Sequence, residues 1–303
     1  MQNQPRGQHY VPRFYLAGFA DAHGVIHVLD QQRRKQRTSI PEQVAKENHF
    51  YTVETGALAD PYVVERWLSE LEADCAQVIR EIVANKSLPS GSALGTMITF
   101  IAMMYSRVPG IRDTLSEFLE EGAELIDFAW REIAQRRHVA QASNNAKGEQ
   151  PRRQVETNDE ASLCNQTTYV QLTMEMVRML FPMLAQRHWS LWEVVDDTCD
   201  LICSDRPAGL NWTEPMSDLH PPGFNLPGTV VTIPLTSRLA VVGTIAPCAA
   251  YRKITSREVA DLNSATGQDA NQLYSSKSDF VWRMKNGQIG RAADLLAAIQ
   301  PKP

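Results

Sequence analysis

The chain is 303 residues long, 43% hydrophobic and 21% charged, with a formal net charge of −5. That balance excludes collagen-like and disordered classes. It also argues against broad binding to nucleic acid or an anionic membrane, so no extended nucleic-acid surface is expected. The longest apolar run, Leu94 to Tyr105, is interrupted by Thr96 and Thr99 and falls short of the roughly 20 residues of a membrane span.

Residues 1–8 are polar and lack the apolar core of a signal peptide, which predicts a cytoplasmic protein with no membrane partner. Then comes His9-Tyr10-Val11-Pro12-Arg13-Phe14-Tyr15-Leu16-Ala17-Gly18-Phe19, too apolar and aromatic for a free terminus. Pro12 suits the first turn of a short helix running to Phe19. Asp21 to Gly24 reads as a turn. Alternation over Val25 to Asp30 predicts a strand, Gln31 to Gln36 a hairpin turn, and Arg37 to Ile40 a return strand. Phe50 to Val53 is a further short strand candidate.

From Pro61 the period changes. Val64, Leu68, Leu71, Cys75, Val78 and Ile82 form one helical stripe, ended by Leu88 to Gly91. Ala93 to Ser106 is apolar nearly all round and predicts a buried central helix, broken at Val108-Pro109-Gly110. A long helix is expected from Arg112 to about Ala140. Ser143 to Asn165 reads as a polar excursion, and Tyr169 to Leu184 as another helix. Strands follow at Trp189 to Val195, Leu201 to Ser204, Thr229 to Pro234 and Leu239 to Thr244, with Pro207 to Pro227 as a long loop. Helices from Arg257 to about Ser276 and from Ala292 to Ile299 close the chain.

Helices and strands do not alternate regularly, so the fold class is α+β. The helical middle should pack on a mixed or antiparallel sheet of C-terminal strands, which the N-terminal hairpin is free to join. The whole chain, 1–303, reads as one domain: a docking helix and hairpin at 9–55, a helical region at 60–187 with its excursion at 143–165, a β-rich region at 188–245 and terminal helices at 257–299. Five cysteines are scattered, with no Cys-x-x-Cys pair, so they are expected as reduced thiols. Cys199 and Cys203, read as one strand, would face the same side.

The glycine-rich, Gly-x-Ser-x-Gly and His-Glu-x-x-His motifs are all missing, so no cofactor is evident, although a divalent metal fits the acids discussed next. His9 and Arg13, four apart at the start of the first helix, pair a potential general base with an anion clamp; equally, the imidazole could cap backbone and Arg13 meet an acid. Asp205, in Ser204-Asp205-Arg206-Pro207, stands where a strand opens into a loop, as reactive acids often do, or makes a turn ahead of Pro207. Glu65 and Glu72 edge the helical stripe as acid/base or metal candidates, or as solvated acids. Arg107, ending the most apolar helix, should be held near a carboxylate, with Glu65, Glu72 and Asp205 as candidates. The basic run Arg33 to Arg37 lacks interleaved aromatics and reads as a solvated turn.

In order along the chain, His9 to Leu16 with Phe19, Asn48-His49-Phe50-Tyr51, Glu65, Glu72, Arg107-Val108-Pro109, Ser204-Asp205-Arg206-Pro207, Pro234-Leu235 and Asn263 form a recognisable set. The set resembles an uncharacterised, mainly bacterial family catalogued as a domain of unknown function, whose signature is His-Tyr-Val-Pro-x-Phe-Tyr-Leu. Arg206 stands where that pattern leads one to expect a small polar residue. The resemblance implies a single domain over about residues 9–276 and carries no activity with it. Two functional expectations follow from the residues. One is a hydrolase on a phosphate-containing or nucleic-acid substrate, with His9, Asp205 and Glu65 as catalytic residues and Arg13 and Arg107 as binding residues. The other is a non-catalytic interaction protein whose polar residues form a buried network.

Overall fold

The computed structural model describes residues 7–48, 63–115, 117, 166–214 and 220–298. The expected strand at Phe50 to Val53, most of the helix after Arg112, and the excursion at Ser143 to Asn165 lie outside them.

The N-terminal segment docks, as its composition demands. A short strand β1 (Gly7–His9) leads into helix α1 (Arg13–Leu16) and a 3-10 turn (Ala17–Phe19). Val11, Tyr15, Leu16 and Phe19 are buried, and each such side chain contributes about 1.5–3 kcal/mol on leaving water. The Tyr15 ring sits 5.6 Å from Phe100, and its hydroxyl donates to the Pro234 carbonyl. The Ser237 amide donates to the Gly18 carbonyl, 3.0 Å away. The start of the chain is thereby fastened to its C-terminal third.

The hairpin β2 (Ile26–Asp30) and β3 (Lys35–Ser39) forms as expected, and β4 (Lys46–Asn48) returns to pair antiparallel with β1. The apolar stripe becomes α2 (Val63–Asn85), burying Leu68, Cys75, Val78 and Ile82. The next segment becomes α3 (Gly91–Ser106), with Met97, Phe100, Ile101 and Met104 fully inside. The break is at Arg107, which caps α3, and residues 109–115 are helical again. Helix α4 (Gln166–Ala185) packs along α3.

The second half supplies β5 (His188–Val194), β6 (Cys203–Ser204), β7 (Gly209–Trp212), β8 (Thr229–Pro234), β9 (Leu239–Thr244) and β10 (Tyr251–Ile254). Five of them make a mixed sheet of order β10-β5-β9-β8-β7, in which only β10 and β5 run parallel. Alternation along the strands feeds two faces. Leu191, Val231, Ile233 and Val241 join the cluster of the helical region, whereas Val194, Ala240 and Val242 face helix α5 (Ser256–Gly267) through Val259 and Ala260. Strands β11 (Gln272–Ser275), β12 (Val281–Arg283), β13 (Ile289–Arg291) and helix α6 (Ala292–Ala298) complete the chain. The architecture is α+β, with the helical middle on one face of a mixed sheet.

Four expectations need correction. The loop expected from Pro207 to Pro227 holds strand β7, which pairs antiparallel with β8 at the sheet edge. The hairpin does join C-terminal strands, but in a separate four-stranded sheet of order β3-β2-β11-β6. The helix expected to run to Ser276 stops at Gly267, because the four residues of β11 are claimed by β2 on one side and β6 on the other. Cys199 is not in a strand with Cys203. It lies in a turn held by Arg238, which donates to the carbonyls of Asp196 and Cys199, and the two thiols are buried in different clusters.

Arg187 lies just past α4. It is 4% exposed. Its guanidinium donates to the carbonyls of Thr229, Gly243 and Phe224 and to the Thr229 hydroxyl. It thus pins the loop before β8 to the sheet edge. Burial lowers its pKa. Arg187→Met should lower stability by about 2 kcal/mol by leaving buried carbonyls unpartnered; an unmoved urea midpoint would refute this role.

Candidate functional site

Two polar centres lie at the junction of the N-terminal segment, α3 and β6. The first is closed. Arg107 is 1% exposed and ends an almost wholly apolar helix, so its charge needs partners. Its Nη1 donates to Glu72 Oε1 at 2.7 Å, its Nε to the Tyr10 carbonyl at 2.7 Å, and its Nη2 to the His9 carbonyl at 2.9 Å. Among the described residues, Glu72 is the carboxylate that meets it. The guanidinium therefore joins α2 and α3 and fixes the main chain at residues 9 and 10.

The second centre is open. A cleft of about 350 Å³ has Tyr10, Asp30, Arg33, Lys46, Glu47, Asp205, Arg206, Asp269 and Gln272 among its lining residues. Asp205 follows β6 and is 7% exposed. Its carboxylate accepts the Asn271 amide with both oxygens, at 3.0 and 3.3 Å, and its own amide donates to the Gln272 carbonyl. Burial pushes its pKa up to about 6, against the pull of those main-chain contacts and of Arg206. Tyr10 reaches the same place, and its phenol hydrogen-bonds with that of Tyr274. Burial and the Asp205 charge keep Tyr10 protonated.

The other charges in the cleft differ in how they are engaged. Arg33 pairs with Asp30 at 3.1 Å, and Arg112 with Glu47 at 2.9 Å. Among the described residues, Lys46 and Arg206 have no carboxylate in salt-bridge range. Arg206 donates to the Asp269 carbonyl through its guanidinium, at 3.3 Å, and to the Ser204 hydroxyl through its main-chain amide, at 3.1 Å. Its guanidinium lies directly on Gly110: a Cβ there would come within 2.5 Å of Nη2. The departure from the expected small residue at 206 thus brings a cation into the cleft, and a glycine makes room for it.

The remaining candidates lie elsewhere. The His9 ring turns to the Pro41 carbonyl, to which Nε2–H donates at 3.3 Å, and burial lowers its pKa. Arg13 is largely exposed and 3.8 Å from Glu42, a surface pair of little energetic weight. Neither lines the cleft, and nor does Arg107. Glu65 belongs to α2, with its side chain outside the described residues. The structure thus brings Arg107 to the main chain of His9, and Asp205 to Tyr10. It does not gather His9, Arg13, Arg107 and Asp205 round one opening. No group of three or more His, Cys, Asp or Glu stands ready to hold a metal ion among the described residues. Asn263 is structural: its amide ties the Asp200 and Val281 carbonyls to the Ile202 amide. Tyr10 was missed as a wall of the cleft; the only signal was its place beside His9 in a docked segment.

An α+β protein with a mixed sheet, a buried arginine knot and a polar cleft at a strand end is the class that fold and site define. The chain belongs to the family described as protein of unknown function (DUF4238), which matches residues 7–279. No curated protein and no solved structure matches it. No helix among the described residues is long and apolar enough to cross a membrane.

Proposed function

We propose that this chain hydrolyses phosphate esters, with Asp205 as the acid–base group and Arg206 and Lys46 holding the phosphate oxygens. The observation that carries the reading is a buried carboxyl, its pKa raised by burial to about 6, at the wall of an open cleft beside two cations that have no carboxylate partner among the described residues. A general base works best with its pKa close to the working pH. The Asp205 carboxylate takes a proton from water as that water attacks phosphorus. The ester P–O bond breaks, and the leaving alkoxide takes up the proton that Asp205 gained, which restores the carboxylate. His9, turned away to Pro41, has no part in this scheme.

The test is a screen of phosphomonoesters and phosphodiesters with the full chain. Asp205→Asn should lower turnover by about 100-fold or more, and the wild-type rate should rise with pH through about 6. No turnover across the screen by folded protein, or turnover that survives Asp205→Asn, overturns the reading. A second reading, a non-catalytic interaction protein, is favoured by the saturated contacts of Arg107 and Asn263; a silent screen would favour it. We also infer a cytoplasmic location, supported by the free thiols Cys75, Cys199, Cys203 and Cys248, and a bacterial source, which rests on the sequence resemblance.

A further inference from the structure

The basic run Arg33 to Arg37 begins at the cleft and is tied down there. Gln32 and Arg33 are among the lining residues. The Gln31 amide donates to the Asn271 carbonyl at 2.9 Å, and Gln32 Nε2 to Asn271 Oδ1 at 2.6 Å. Gln31 Nε2 also reaches the carbonyls of Gly267 and Ala270, at 2.9 and 2.8 Å. Arg34, whose backbone is left-handed with φ at 54°, donates to the Leu296 carbonyl at 3.1 Å. Asn271 is the same residue whose amide the Asp205 carboxylate accepts. The turn and Asp205 thus share one anchor, which fixes the start of β3 relative to the cleft.

Register decides where the cations of β3 point. This strand is the edge of its sheet. Lys35 pairs with Asp30, and Arg37 with Val28. Residues paired across strands leave the sheet on the same face. Lys35 and Arg37 are therefore on the face of Asp30, which lines the cleft, with Gln36 and Thr38 on the other. Both cations are exposed. Among the described residues, neither has a carboxylate in salt-bridge range. The nearby acids are engaged: Asp30 holds Arg33, and Glu47 holds Arg112. Asp269 stands beside Arg206. Lys35 and Arg37 thus add two more cations to the pair formed by Lys46 and Arg206.

We propose that Lys35 and Arg37 extend the phosphate site along β3, so that the substrate is an ester carrying a chain of further phosphate groups beyond the one that reacts. The inference rests on the phosphate-ester reading and names its substrate class. A single phosphate is met by Lys46 and Arg206 and gains little from cations along β3, whereas a chain of phosphates offsets the repulsion among all four. The hairpin from Ile26 to Ser39 contains no Phe, Tyr or Trp, so it offers no platform on which nucleic-acid bases stack. The tethered turn leaves little ordering to be done when the anion arrives.

The test is calorimetric titration of the full chain with inorganic phosphate, tripolyphosphate and a short oligothymidylate. Tripolyphosphate should bind about tenfold tighter than phosphate, and Lys35→Gln with Arg37→Gln should remove most of that advantage while leaving phosphate affinity within about twofold. Added salt should weaken tripolyphosphate binding more steeply in wild type than in the double variant. The melting temperature should not move, because both side chains are exposed. Lys253→Gln, on the edge of the other sheet, should leave the advantage intact. Equal affinity for phosphate and tripolyphosphate, an advantage that survives the double substitution, or an equal loss with Lys253→Gln overturns the extended site and leaves the phosphate reading standing. Tighter binding of oligothymidylate than of tripolyphosphate overturns the phosphate chain in favour of a nucleic-acid strand. Failure of all three to bind overturns the extended site and the phosphate reading together.

Discussion

Arg107→Met is expected to lower the stability of the protein by about 3 kcal/mol or more, the range for breaking a buried ion pair from one side. The loss has two sources. Glu72, whose side chain is 27% exposed, is left without its cation at 2.7 Å. The half-buried carbonyls of His9 and Tyr10 lose their donors. The methionine fills the aliphatic part of the space, so cavity formation adds little. Urea denaturation of the full chain measures the effect, and an unchanged midpoint would show that the knot carries no load. Pairing the change with Glu72→Met should recover part of the loss, because the second substitution removes the stranded carboxylate. Such non-additivity is the mark of residues in direct contact.

Asp205→Asn should act in the opposite direction on stability. Burial raises this carboxyl from its ordinary 3.8 to about 6, so the folded state prefers the protonated form. The stabilising contribution is fully present below the unfolded value and is lost as pH rises through about 6. A shift of roughly 2 pH units corresponds to about 3 kcal/mol. Asparagine stays neutral at every pH and keeps an oxygen for the Asn271 amide. The variant should therefore be more stable than wild type at pH 8 and nearly equal to it at pH 4. Denaturation at both values measures the gap, and a gap that does not widen with pH refutes the assignment. Taken with the loss of turnover expected of the same variant, this describes a residue kept at a cost in stability, as functional carboxyls often are.

Some of this arrangement was legible in the sequence. An apolar helix ending in arginine forces a buried charge to find an acid, so the Arg107 knot could be expected, though not which carboxylate would answer. Asp205 could be suspected from its place after a strand. The direction of the His9 ring could not, because it depends on the Pro41 carbonyl, brought close by a turn whose residues have no pattern of their own. Strand β11 was hidden for a related reason. Gln272 to Ser275 is a strand only because Ile26 to Asp30 and Cys203–Ser204 lie on either side, and the preceding helical period runs straight into it. Tyr10 shares this character: it has a role only where distant segments meet.

The fastening of the N-terminal segment has a consequence for synthesis. Tyr15 closes on Pro234, and Gly18 on Ser237, partners that a ribosome makes more than 200 residues later. At about 5–20 residues per second, that interval is on the order of 10 to 40 s. Throughout it Phe14 and Tyr15 have the Phe100 ring of α3 to rest on, but not the sheet. The docking of this segment is thus completed only once β8 and the turn after it are made, and a chain truncated before Pro234 would leave it half docked.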